Sequence, residues 1–379
     1  MIKSRYLQFC CFFTLMISPV LIIQNSQGTV QNITLNKVGE IDVGKSPFTI
    51  RKSPNILIVG DSGSGSSPGS CVSPDATGIS LIDVTDPSEP RILDQFYDGG
   101  QPHGIVIIGN TLFLADHCDG LEIYDITNPN AVTEIGEFSD FQLAHDLKIK
   151  GNYAFVADYR TGLVVLDVTD HNNISLVSNY TDTGPIYHIE MIGETAYVSH
   201  SLGFEGKPDF SLILLDITDP LNITEIARYD IKANSIAASG DIAYIAADSS
   251  GLLVYNTSNP SELRELGSYQ DVGRLMDLVL NDNLVFTTDF ENNKLIVFNV
   301  TDPTDPQYAS SYTSVGQTLA LDLDENYAYI TNFPNGIVEI IQYNRDYSTA
   351  PTSATSGFEI VTLIGIALVA SQIRKNRVS

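Results

Sequence analysis

The stretch LAHDLKIKGNYAFVADYRTGLVVLDVTD, Leu143 to Asp170, decides how the chain is read. It sets a histidine beside an aspartate, places Asp158 thirteen residues after His145, and closes on Asp-Val-Thr-Asp. The closing phrase recurs. DVTDP starts at Asp83, DITNP at Asp125, DVTDH at Asp167, DITDP at Asp216, NTSNP at Asn256 and NVTDP at Asn299, and a worn copy, GIVEIIQYN, places Ile341 in the same slot. The interval is about 42 residues, the period of a solenoid or propeller built from one supersecondary unit.

Within one period the hydrophobic pattern has the period of strands. HDLKIKG alternates, NYAFVAD and GLVVLDV are short β-rich runs, and a fourth run such as VTEIGEF follows each closing phrase. Gly-Asn at 109–110 and 151–152 suits a tight hairpin between the first two strands. Aspartate and proline in the closing phrase suit a turn between the third and fourth. Gly78, Gly120, Gly162, Gly251 and Gly336 each stand five residues before the closing-phrase slot. That repetition suggests a backbone conformation that needs glycine. Seven copies predict an all-β, seven-bladed β-propeller of four-stranded blades over 36–344. VGEID VG (Val38–Gly44) is a strand without a blade, and the last copy lacks its fourth strand. Pairing 38–44 beside 336–343 closes the ring and hides two sheet edges.

GLVVLDVTD, GISLIDVTDP and AHDLKIKGNYAFVAD resemble the LVIVD-repeat proteins, a family of predicted surface propellers. The resemblance spans most of the chain. It implies an extracellular β-propeller, with no settled reaction and no catalytic residues to carry over.

The ends set the expected compartment. Lys3 and Arg5 precede an apolar run, Leu7 to Ile23, and a polar QNSQG, which reads as a secretory signal peptide over 1–27. Cys10 and Cys11 lie too early in that run for a lipoprotein cysteine, and an uncleaved anchor is the rival reading. At the other end a Ser/Thr/Pro spacer (345–357) leads to an apolar stretch, 358–373, and a basic tail, 374–379. As a helix the apolar stretch reaches ~24 Å, a little short of a hydrocarbon core, and the tail would stay cytoplasmic. The arrangement is similar to archaeal sorting signals of the PGF-CTERM and Loki-CTERM kind. A plain C-terminal transmembrane anchor would give nearly the same location, so a secreted protein held at the cell surface is expected.

Acidic residues number 46 against 20 Lys and Arg, a net charge of −26, and both ends are basic, so the middle is more acidic still. Such a surface repels nucleic acid. It could draw cations, yet no DxDxDG calcium loop is present, and a solvated acidic surface accounts for the charge. Cys71 and Cys118 fall in top-face loops of consecutive blades and are a candidate disulfide in an oxidising location, against two unrelated thiols. Asn32, Asn173, Asn179 and Asn222 head glycosylation sequons; Asn256 and Asn299 do too, but inside the repeat phrase.

His103, His145 and His188 align at one repeat position, shared with Phe48, Ile236, Met276 and Leu319. Thirteen residues on, or twelve in two blades, stand Asp61, Asp116, Asp158, His200, Asp248, Asp289 and Asn332. One reading makes His103, His145, His188, Asp116, Asp158 and His200 ligands of a divalent metal near the axis, with His117 close by; a metal-bound water there could serve a hydrolase or lyase. The other places the imidazoles on the face of Leu147 and Ile149, packed between blades, each bonded to an aspartate such as Asp116 or Asp158. The residues favour the structural reading. Two top loops are long: SGSGSSPGSCVSPDAT follows Asp61, and SLGFEGKPDF follows His200. Added length on one face of a rigid scaffold suits a binding surface. No GxSxG elbow, HExxH helix or P-loop occurs. The chain is therefore expected to bind an extracellular protein or glycan through its top face without catalysis, the metal-dependent enzyme being the alternative and a purely structural envelope protein a third reading.

Overall fold

A computed structural model describes residues 30–347 apart from 45, 62–77, 97–99, 118, 141–142, 182–183 and 202–209. The described residues form seven four-stranded antiparallel sheets. Blade 3 shows the pattern: Ala144–Lys150, Tyr153–Asp158, Gly162–Asp167 and Ser175–Tyr180 pair in that order. The first strand of each blade lies innermost, against the first strands of its two neighbours, so the seven close a ring around a central channel.

Closure happens as the orphan strands require. Val30–Asp42 pairs with Ile337–Tyr347 and becomes the outer strand of blade 7. Both strands overrun their expected limits. The closing strand starts at Val30, ahead of 36, and the last strand runs to Tyr347, into the 345–357 spacer. Glu339, fully buried on the last strand, accepts hydrogen bonds from Tyr312 Oη (2.8 Å) and Asn332 Nδ2 (3.0 Å), and pairs with Lys37 of the closing strand at 2.9 Å. A buried carboxylate needs such partners, so the seam is fixed by charge as well as by the ladder.

The core is not one mass. Among the described residues seven apolar clusters occur, one in each seam between blades. Phe113, Ile123, Leu147, Val156 and Leu166 fill the seam of blades 2 and 3. Second and third strands are almost wholly buried there, while fourth strands face outward. The continuous apolar runs in the sequence are the two-sided strands.

The repeated closing phrase is a turn held by its own aspartate. Oδ1 of Asp83, Asp125, Asp167 and Asp216 accepts the amide two residues on at 2.8–2.9 Å, and Asn256 and Asn299 do the same at 2.9 Å. The worn copy registers differently: Gln342, not Ile341, stands opposite Tyr327, as Asp83 stands opposite Ile56. The side chains of Asn32, Asn173, Asn179 and Asn222 are exposed. Cys71, Cys118 and most of both long top loops lie outside the described residues, as do the segments read as signal peptide, sorting helix and basic tail. No helix among the described residues is long and apolar enough to cross a membrane.

Candidate functional site

Six of the seven inner strands start at the top of the channel with an irregularity; that of blade 5 pairs regularly from Ser235 onward. In blade 3, Ala144 pairs with Asp158 but Asp146 pairs with Ala157, so His145 is an extra residue in the ladder. That bulge turns His145 off the face of Leu147 and Ile149 and into the channel. The between-blade position expected for it is therefore wrong; the bulge is the reason. Similar shifts occur in blades 1, 2, 4, 6 and 7.

Structural register redraws the repeat position. The bulged residues are Phe48, His103, His145, Tyr187, Met276 and Leu319; with Asn234, which stands just before the inner strand of blade 5, all seven line one cavity of about 360 Å³ at the top of the channel. His188 does not belong to this first ring. Ile186 pairs with His200 and His188 with Ser199, which makes Tyr187 the equivalent of His145 and His188 the equivalent of Asp146. Ile236 is likewise displaced, by Asn234. The second ring is then Thr49, Gly104, Asp146, His188, Ser235, Asp277 and Ala320.

The second ring staples blades together. The amide of Ile189 donates to Asp146 Oδ2 at 3.0 Å, that of Ile236 to His188 Nε2 at 3.3 Å, and that of Leu321 to Asp277 Oδ2 at 3.0 Å. In each case a side chain of one blade holds the equivalent amide of the next. The remaining seams have links of their own. Arg51 Nε donates to the Ile105 carbonyl (3.1 Å), Ser235 Oγ to Asp277 (2.9 Å), and the Lys52 amide to Asp322 (2.7 Å). Between blades 2 and 3, the Nδ1 atoms of His103 and His145 lie 2.8 Å apart, one donating to the other. A polar belt thus crosses every seam.

His188 is fully committed to that belt. Its Nδ1 donates to Asp146 Oδ2 at 2.8 Å while Nε2 accepts from Ile236. Neither nitrogen remains for a metal. Burial alone would push the Asp146 carboxyl up, but His188, Lys148 and the Ile189 amide outweigh it and hold the pKa at about 2. Burial would likewise lower the Arg51 guanidinium, but Asp322, Asp277, Asp146 and Glu190 raise it, so Arg51 stays charged inside the channel. Arg51, Lys148, His188 and Asp277 line both the top cavity and a second one beneath it, and so form the floor of the first.

The imidazoles that meet are His103, His117 and His145. Their ring centroids lie 4.6–5.1 Å apart, with Phe48 stacked on His103 at 4.4 Å and Tyr187 4.7 Å from His145. Burial, with smaller contributions from neighbouring positive groups, lowers His103 well below the ordinary range, His117 to about 4 and His145 to about 3. All three are neutral near pH 7. The aspartates expected as their partners turn Oδ1 to the backbone instead. Asp158 Oδ1 caps its own turn, accepting from the amides of Arg160 (2.9 Å) and Thr161 (2.6 Å). Asp116 Oδ1 accepts the Gln101 amide at 2.6 Å, as Asp61 takes Ser46 and Asp289 takes Gly273, tying down the loop that leads into each inner strand. His200 is buried opposite Ile186. Among the described residues no group of three or more His, Cys, Asp and Glu side chains is arranged to hold a metal. Asp277 and Arg51, which help close the belt, are not singled out by the sequence reading, and Asp146 enters it only as the neighbour of His145. Asp146 and Asp277 directly follow a first-ring residue, which is the signal that could have found them.

Comparison with known proteins agrees with this architecture. The LVIVD repeat matches at residues 99–140, 143–182, 232–271 and 315–341, windows that fall on blades 2, 3, 5 and 7. No curated protein matches the chain. Among solved structures, the β-propeller domain of Myceliophteria thermophila Cps50 (Swd1) superposes with a TM-score of 0.62 at 12% identity, covering 82% of this chain and 99% of that one. The computationally designed Ika8 protein gives 0.54 at 12% identity, covering 81% and 99%. At that identity the likeness shows the fold alone.

Proposed function

From a seven-bladed propeller carrying LVIVD repeats, we propose a non-enzymatic binding module held at the cell surface, which engages an extracellular protein or glycan at the top of its central channel. One observation supports the choice of site: the top cavity is a cup with a polar floor, walled by the rings of Phe48, His103, His145 and Tyr187. Aromatic walls with a few placed polar atoms are the composition of ligand sites. The rim adds Lys232 and Arg274, which share the carboxylate of Asp248 at 2.7 and 3.4 Å. The anchored, secreted location rests on the two apolar ends of the sequence and the spacer before the second.

The reading is tested with labelled full-length protein and cell-envelope fragments. Saturable binding is expected, weakened by Tyr187→Ala at the cup and unchanged by Asp86→Ala in an exposed turn at the opposite end. Absence of binding, or equal behaviour of the two variants, overturns it.

A further inference from the structure

The belt uses nearly every polar atom around the channel. Both oxygens of Asp146, Asp277 and Asp322 accept hydrogen bonds. Glu190 takes the Met191 amide and Lys148, and Asp248 takes the Ser249 amide and Lys232. Charge on the cup's floor and rim is therefore matched within the protein. What stays open is the His103–His145 pair. Each Nδ1 is taken by the other, and neither Nε2 has a hydrogen-bond partner among the described residues, although both side chains line the cavity.

The chemistry of such a pair is specific. One imidazole carries its proton on Nδ1 and so has a lone pair on Nε2; the other accepts at Nδ1 and so carries an N–H at Nε2. Together the two Nε2 atoms always present one donor and one acceptor, whichever imidazole plays which part. An anion would need two donors, and a cation two acceptors. A hydroxyl group both donates and accepts. Phe48 and Tyr187 flank the pair with flat apolar faces of the kind that cover the C–H face of a sugar ring.

We propose that the cup binds an uncharged carbohydrate, with the His103 and His145 Nε2 atoms bonding two separate hydroxyls and the Phe48 and Tyr187 rings flanking it. This rests on the cup being the binding site, and narrows its ligand from protein or glycan to neutral glycan. Because both imidazoles titrate below the physiological range, binding is independent of pH between about 6 and 8.

Calorimetry on the full-length protein tests it, using methyl glycosides of glucose, galactose, mannose and N-acetylglucosamine, with methyl glucuronide as the charged comparison. At least one neutral glycoside should bind, flat in pH and unaffected by EDTA. His145→Leu should weaken it about tenfold or more, the effect of losing one hydrogen bond in a closed site. A wild-type profile that prefers the glucuronide, is lost with EDTA, or shows no neutral glycoside bound overturns the proposal without recourse to any variant. Unchanged affinity in His145→Leu overturns it too. Envelope binding that persists when no glycoside binds would leave the binding module standing with a different ligand; loss of both would remove it as well.

Discussion

Asp146 shows how one residue carries structure that could be mistaken for chemistry. It stands beside a histidine, in a channel, with a strongly lowered pKa, which are features of functional sites. Yet its oxygens accept the Leu147 amide, the Ile189 amide and the His188 N–H. Asp146→Ala leaves these donors without partners and should cost about 2–4 kcal/mol in urea unfolding; a loss within 0.5 kcal/mol (roughly the noise of a surface change) would show the staple to be idle. Acid acts on two kinds of group. The carboxyl of Asp146 is depressed in the fold, so its stabilisation is present above the ordinary value near 4 and is lost as pH falls toward about 2. The buried histidines act earlier. Held at about 3 and 4 in the fold, His145 and His117 protonate near 6.5 only when unfolded, so acid favours unfolding from about pH 6.5 downward. The melting temperature should fall between pH 6.5 and 4.5, and less steeply in His145→Leu. Equal slopes would place the acid sensitivity elsewhere.

At the scale of the strand and its turn, the repeat phrase was legible because one local mechanism writes it. An aspartate that accepts the amide two residues on needs Asp or Asn there, and six of seven blades supply it. The glycine five residues earlier is legible for a similar reason. Gly120 has φ +89°, and a Cβ there would run into the Phe138 carbonyl oxygen; Gly251, at φ +80°, meets Tyr269 in the same way. Gly120→Ala should destabilise by about 1–3 kcal/mol, measured by thermal unfolding, and an unperturbed variant would mean that the loop yields freely. The inner strands were read less well. A bulge adds one residue without marking itself by any residue type, so alternation along HDLKIKG put His145 on the wrong face. Spacing held the correction. From each first-ring residue to its partner at the end of the second strand is thirteen positions in every blade, including Tyr187 to His200 and Asn234 to Ala247. The two intervals of twelve, from His188 and Ile236, marked the misplaced residues, and the attraction of a third histidine hid this.

The whole ring depends on two things that sequence shows unequally. Its blade number and closure follow from counting copies and finding two orphan strands. The polar belt does not, because its links join residues at least 42 positions apart, 270 for Lys52 and Asp322, whose partners are often backbone groups, which no side-chain pattern reveals. Closure is also where the ring is most exposed to damage. Lys37 compensates the buried Glu339, and Lys37→Met leaves that carboxylate short of its cation. Loss of about 1–3 kcal/mol is expected, with early fraying of the Val30–Asp42 strand in hydrogen exchange. Protection of that strand equal to wild type would show that backbone pairing alone closes the ring.

Labour among the channel histidines is divided: His188 belongs to the belt, while His103 and His145 pair with each other and face the ligand. This division is tested most directly by 15N-histidine NMR on the full-length protein, with the neutral methyl glycosides titrated in. The chain has six histidines, so the ring nitrogens can be resolved. Expected are neutral imidazoles at pH 7 for His103, His117 and His145, a proton on Nδ1 of His188 that the sugar does not move, and shifts confined to the Nε2 atoms of His103 and His145. A shift at His188 with none at the pair, or an imidazolium signal from His145 at pH 7, would contradict this division.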